Sequence, residues 1–310
     1  MPVIRINADG DRPRMHSGTA PVAQALHRDP GDGPVIVMIH GWKYKPHLPA
    51  HCPHQHLFAF SPKDMPWRAP SWPRQMGFGT GHADEGLAIA FGWNARGAPW
   101  AAQASAVAAG RALAEVLNLL HRRWPQRPVH IMGHSMGVEL ALEALHHLPR
   151  GAVDRIISMT GASYRSRVEA ALNTAAGRAS EFYSITSREN DIVDFLFERL
   201  TPPPRSGDHS IGFGLEAPNA VTLQLDCPDT LDHLQAMGAA IGASQRRVCH
   251  WSAYTRPGVL RFYNALLRQP ERWPLARIRT GLPETTAPRW SRLMAPPALP
   301  QLLPLPQKAS

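Results

Sequence analysis

The run Val129-His130-Ile131-Met132-Gly133-His134-Ser135-Met136-Gly137 decides how this chain folds. Val129 to Met132 is an apolar segment of strand length, and Val138 to Leu148 behind it carries apolar residues at helical spacing. Strand and helix are joined by a single Gly-x-Ser-x-Gly turn. A turn that sharp holds the serine in strained backbone geometry and leaves room only for small flanking residues, which Gly133 and Gly137 supply around His134 and Ser135. The start of the helix also directs unbonded N–H groups to the place where an oxyanion could form. The plainer alternative is an ordinary strand-to-helix turn that happens to expose a serine.

Working outward, Val35-Ile36-Val37-Met38-Ile39 is a continuous β-branched and apolar run behind the turn Pro30-Gly31-Asp32-Gly33. That character predicts a strand buried on both faces, as in a parallel sheet. Leu87 to Phe91 has the same character, and Ala101 to Arg123 has helical spacing closed by Pro125. Further strands are predicted over 153–159, 181–186 and 221–225, with helices over 168–176 and 259–267. This alternation predicts an α/β fold: a mostly parallel sheet with helices on both faces. Ligands of such sheets sit beyond the carboxyl ends of the strands, so the turns after the strands are where a site belongs. Residues 43–86, rich in Pro, His and Trp, interrupt the pattern as a long structured insertion. The reading is one domain over 1–269 and a Pro-rich tail over 270–310, wrapped on the body through Trp273 and Trp290 or partly disordered.

Composition narrows the classes. In 310 residues the hydrophobic fraction is 44%, enough for a sizeable core. The net charge of +9 is carried mostly by scattered arginines, which points to a solvated surface and not to a nucleic-acid partner. The three cysteines make no disulfide framework. No secretory leader is seen, nor any run of roughly 18 apolar residues, and a cytoplasmic location is expected.

The elbow, together with Ile39-His40-Gly41-Trp42 after an apolar strand, resembles the α/β-hydrolase superfamily over about residues 35–267. The resemblance implies a serine hydrolase with Ser135 as nucleophile and an oxyanion hole formed by the backbone N–H groups of Trp42 and Met136. In the family the acid follows a strand beyond the nucleophile strand, and after Glu181–Thr186 the position falls to Asp191, with Asp194 and then Glu189 as alternatives. The base belongs on the loop after the last strand. His250, ahead of Arg256-Pro257-Gly258 and the final helix, fits that place, and His233 is the alternative. The implied reaction cleaves a small-molecule ester, thioester or amide through an acyl-enzyme, with no cofactor and no metal. The family's usual cap is nearly missing, since only Thr160 to Ser180 separate two predicted strands. The 43–86 insertion and the stretch 201–218 are the candidates to replace it.

Two features stay open at this level. His51-Cys52-Pro53-His54-Gln55-His56 suggests zinc but lacks a second ligand pair at a familiar spacing, so a polar loop is the simpler reading. Trp42, Trp67, Trp72, Trp93 and Trp100 either wall an acyl pocket or pin the insertion to the body. The other functional classes are a non-catalytic binding protein that keeps the elbow as architecture, and an acyltransferase or perhydrolase using the same triad. Oligomeric state is not legible.

Overall fold

The structure, a computed structural model, describes residues 3–63 and 69–284. Eight strands form one sheet in the order β2-β1-β4-β3-β5-β6-β7-β8. In chain order they are β1 (Val3–Asp9), β2 (Arg12–Met15), β3 (Val35–Ile39), β4 (Leu87–Gly92), β5 (Val129–His134), β6 (Arg155–Met159), β7 (Glu181–Thr186) and β8 (Ala220–Gln224). Every neighbouring pair is parallel except the β1–β2 hairpin. The expected mostly parallel sheet is therefore present.

Alternation along β3 explains why its whole run is apolar. Val35, Val37 and Ile39 enter one core, whereas Ile36 and Met38 enter the core on the opposite face. The first core is closed by α1 (Val22–His27), α3 (Pro99–Arg123), α4 (Gly137–Leu145), α5 (Arg165–Leu172) and Phe197 of α6 (Asp191–Leu200). The second is closed by α2 (Trp72–Gln75), α7 (Pro228–Ala236), α8 (Ser252–Thr255), α9 (Val259–Arg268) and α10 (Leu275–Thr280). In α3 the buried stripe is largely alanine, from Ala102 through Ala114, and so the longest helix lies close against α4.

The structure departs from the sequence reading at both ends. Val35–Ile39 is the third strand and not the first, because β1, β2 and α1 precede it. Their signal is weak for a physical reason: β2 is the edge strand and β1 lies beside it, and along both of them exposed and buried positions mix so that no apolar run develops. After α9, Trp273 is buried and α10 packs Ile278 into the core, so the body continues past residue 269. The rest of the Pro-rich tail, with Trp290, lies outside the described residues, as does Trp67. Among the described residues no helix is long and apolar enough to cross a membrane.

The 43–86 insertion is mostly folded inward. Tyr44, Phe58, Trp72, Met76 and Phe78 join the second core, and Ser71 caps α2 by accepting from the Arg74 N–H. Trp72 and Trp93 are fully buried, whereas Trp42 and Trp100 are exposed. Both readings of the tryptophans thus have members: two pin the chain and two face out beside the carboxyl end of the sheet.

Candidate active site

Ser135 follows the last residue of β5, at the centre of the sheet, and α4 begins two residues later. Its φ is 53°, the left-handed region that a side chain adopts only under constraint. The constraint is visible on both sides: the Ser135 N–H donates to the Met159 carbonyl at 3.0 Å, and the Ser135 carbonyl accepts from Ala162 N–H at 3.1 Å. The ends of β5 and β6 grip the serine backbone. Glycine at 137 is required by proximity, since a Cβ there would stand 2.5 Å from the His40 carbonyl oxygen.

The segment after β3 presses on this turn. A Cβ on Gly41 would stand 2.8 Å from both Ser135 Cβ and His134 Nδ1. His40 fixes the segment from beneath: Trp93 N–H donates to His40 Nε2 at 3.1 Å, Trp93 Nε1–H donates to the His40 carbonyl at 2.9 Å, and His40 Nδ1–H donates to the Gly41 carbonyl at 2.9 Å. Burial pushes the His40 pKa down to about 3, so the ring is neutral, as accepting from Trp93 requires. Lys43 N–H donates to Ala95, while the N–H groups of Trp42 and Met136 carry no backbone hydrogen bond among the described residues.

His250 arrives on the loop between α7 and α8. Its backbone carbonyl is held at two points, accepting from His134 Nε2–H at 3.1 Å and from Thr160 Oγ1–H at 3.3 Å. The rings of His134 and His250 lie 4.6 Å apart, which brings the base loop to the residue adjoining Ser135. Burial, with repulsion from His134 and Lys43, holds the His250 pKa well below the ordinary histidine value. The neutral form, able to take up a proton, is favoured. A short helical turn over Arg188–Asn190 meets this loop from the end of β7. Glu189 accepts from Arg246 N–H at 3.1 Å and forms an ion pair with Arg256, both partners buried. Its carbonyl accepts from Cys249 N–H at 2.8 Å.

Residues 16–161 match the sequence profile of a family described as an alpha/beta hydrolase of unknown function (DUF900). That span runs from just after β2 through the elbow to the end of β6, on a sheet whose parallel order and elbow position have the same character. The chain has an α/β-hydrolase fold, and over those residues it resembles that family. No curated protein matches it.

In this fold the side chain that meets His250 is not a carboxylate. His250 Nδ1 lies 2.6 Å from Oδ1 of Asn190. Asp191, expected to be the acid, is the next residue, buried as the first residue of α6. The sequence reading considered carboxylates alone, but an amide oxygen can accept the same hydrogen bond. Of the two alternatives, Asp194 stands behind Asn190 and accepts from its Nδ2 at 3.0 Å, and Glu189 is the clamp on the loop. His233, the alternative base, bonds the Ile278 carbonyl at 3.0 Å and fastens α7 to α10. The suspected zinc run also disperses: His54 Nε2 meets Asn7 Oδ1 at 2.7 Å and His56 Nδ1 meets the Tyr44 hydroxyl at 2.6 Å.

Exposed apolar side chains gather on the elements that surround the turn. Trp42 follows β3, Trp100 opens α3, Ile192, Leu196 and Leu200 recur every four residues along α6, and Val248 and Trp251 flank His250. A cavity of about 430 Å³ lies beside the base loop, lined by Glu189, Cys249, Trp251 and Arg256 among others. Neither Ser135 nor His250 lines it.

Proposed function

We propose that this α/β-hydrolase is a serine hydrolase that cleaves a carboxylic ester, or a thioester or amide, of a small molecule. The observation that carries the reading is the left-handed backbone of Ser135 at the end of the central strand, held on both sides and pressed by Gly41. Such geometry costs on the order of 1–3 kcal/mol and persists where the neighbours impose it. Ser135 Oγ attacks the acyl carbon as its proton passes to His250 Nε2. The tetrahedral oxyanion is stabilised by the N–H groups of Trp42 and Met136. The C–O bond to the leaving group then breaks, and the leaving oxygen takes the proton from His250. Water, activated by the same imidazole, attacks the acyl-enzyme and returns the serine. The exposed apolar groups around the turn favour an apolar acyl or leaving group. The buried free cysteines fit a reducing, cytoplasmic setting.

The test is labelling with a fluorophosphonate, followed by mass mapping of the modified residue. Modification at Ser135, lost in Ser135→Ala and strongly slowed in His250→Ala, is the expected result. Folded protein that remains unlabelled and inert toward short-chain aryl esters overturns it. A second reading, a non-catalytic binding protein, draws support from one observation: the atom facing His250 Nδ1 belongs to an amide and not to a carboxylate. An acyltransferase would share the labelling and differ only in the nucleophile that resolves the acyl-enzyme.

A further inference from the structure

We propose that Asn190 and Asp194 act in series as positioning residues for the base, the buried Asp194 carboxylate fixing which end of the Asn190 amide faces His250. The inference rests on the serine-hydrolase reading for its consequence in catalysis, although the arrangement itself can be tested without turnover.

An amide has two ends of opposite character, an oxygen that only accepts and an NH2 that only donates. Placed alone against an imidazole, it can flip and support either tautomer. Here its second contact removes that freedom. Asn190 Nδ2 donates to Asp194 Oδ1 at 3.0 Å, so the carboxylate oxygen there acts as the acceptor. The NH2 end is therefore turned toward Asp194, and Oδ1 is turned toward His250 Nδ1 at 2.6 Å. An oxygen at that place demands an N–H, so the proton of the neutral imidazole sits on Nδ1. Nε2 keeps its lone pair, the form needed to accept the Ser135 proton.

The carboxylate is itself held. Asn190 and Asp194 are four residues apart, which puts both on one side of the turn that opens α6. Both are almost completely buried. Ser210 Oγ–H donates to the same Asp194 oxygen at 3.4 Å. The stretch 201–218, suggested from the sequence as a replacement cap, closes over this carboxylate instead. Its Gly212 lies so close that a Cβ would stand 2.2 Å from Asp194 Oδ2. That stretch is anchored to the body by Tyr164 Oη–H donating to the Thr201 carbonyl at 2.5 Å and by Ile211 N–H donating to Ser163 at 3.0 Å.

The charged and titratable groups around the imidazole are His134 on β5, Lys43 after β3, Cys249 beside it, Asp191 at the start of α6 and Asp194 behind the amide; Glu189 is paired with Arg256. Asp194 acts through the amide, one residue further away than in a direct carboxylate–histidine contact. Removing its charge lowers the imidazole pKa, and placing a carboxylate at 190 raises it.

The experiment uses the full chain with 15N-labelled histidine, comparing wild type, Asp194→Asn and Asn190→Asp by NMR and by the pH dependence of fluorophosphonate labelling. In wild type, His250 is expected as the Nδ1–H tautomer. Asp194→Asn is expected to mix the tautomers, to slow labelling about tenfold and to move the midpoint of the labelling profile to lower pH. Asn190→Asp is expected to keep labelling and move the midpoint to higher pH. These opposite shifts separate positioning from a loss of packing, which moves neither midpoint. His250 found as the Nε2–H tautomer in wild type overturns the proposal, as does a folded Asp194→Asn protein identical to wild type in tautomer and midpoint. Should Asp194→Asn not fold, the wild-type tautomer and the Asn190→Asp midpoint decide. Absence of labelling in wild type sinks the serine-hydrolase reading alone, since the tautomer is still read.

Discussion

The two halves of the candidate site are built by different means. On the nucleophile side, β3, β5 and β6 lie side by side, and Gly41, Ser135 and Met159 meet through backbone atoms and the absence of side chains. On the base side, Asn190 and His250 are 60 residues apart in sequence and meet only through their side chains. The difference teaches that backbone geometry fixes Ser135, whereas the place of His250 depends on a chain of polar contacts across loops. The first half is intolerant of added volume. The second is intolerant of lost charge.

The comparison can be broken from either side. The largest effect is expected for Gly41→Ala, which drives a methyl group toward Ser135 Cβ. Labelling of Ser135 should fall by about 10²–10³-fold, the cost of misplacing an oxyanion donor, while thermal unfolding shows a folded protein. An unchanged labelling rate means that the segment after β3 yields easily and is not a rigid wall. Next in size is Glu189→Gln, which keeps the shape of the clamp and leaves Arg256 buried without its charge partner. A loss of about 3 kcal/mol in urea unfolding is expected. Although burial opposes it, hydrogen bonds from Ser252 and Ser244 and the charge of Arg256 hold the Glu189 pKa below the ordinary value. Its stabilisation is thus present above the unfolded carboxylate pKa and lost as pH falls through the folded one. Glu189→Gln should therefore flatten the acid limb of stability against pH, and an unaltered limb places that sensitivity elsewhere. The smallest effect sharpens the substrate side: Leu196→Ser should raise KM for long-chain aryl esters about fivefold and leave acetyl esters unchanged. Equal effects on both chain lengths exclude α6 from contact with the acyl group.

The same division governs what was legible in the sequence. Strands β3 to β8 and the elbow announce themselves through local patterns, because a strand buried on both faces must be apolar throughout and the turn must be flanked by glycine. His250 was singled out by its place before the final helix. Asn190 was not found: nothing local to Ser187-Arg188-Glu189-Asn190-Asp191 tells which of these five polar side chains is aimed at the loop. Only the three-dimensional meeting of β7 with a loop far along the chain decides that. β1 and β2 were missed for the opposite reason, since strands with half-exposed faces need no apolar run.

The position of β1 has a consequence for how the molecule is assembled as it is made. Its inner neighbour is β4, paired from Val3↔Ala88 to Asn7↔Gly92, so β1 has only its own hairpin for company until the chain from β2 through β4 has been synthesised. During that interval an unsatisfied row of backbone donors and acceptors is exposed at its other side. Arg5, exposed on β1, places a charge on that waiting strand, which discourages pairing with another chain.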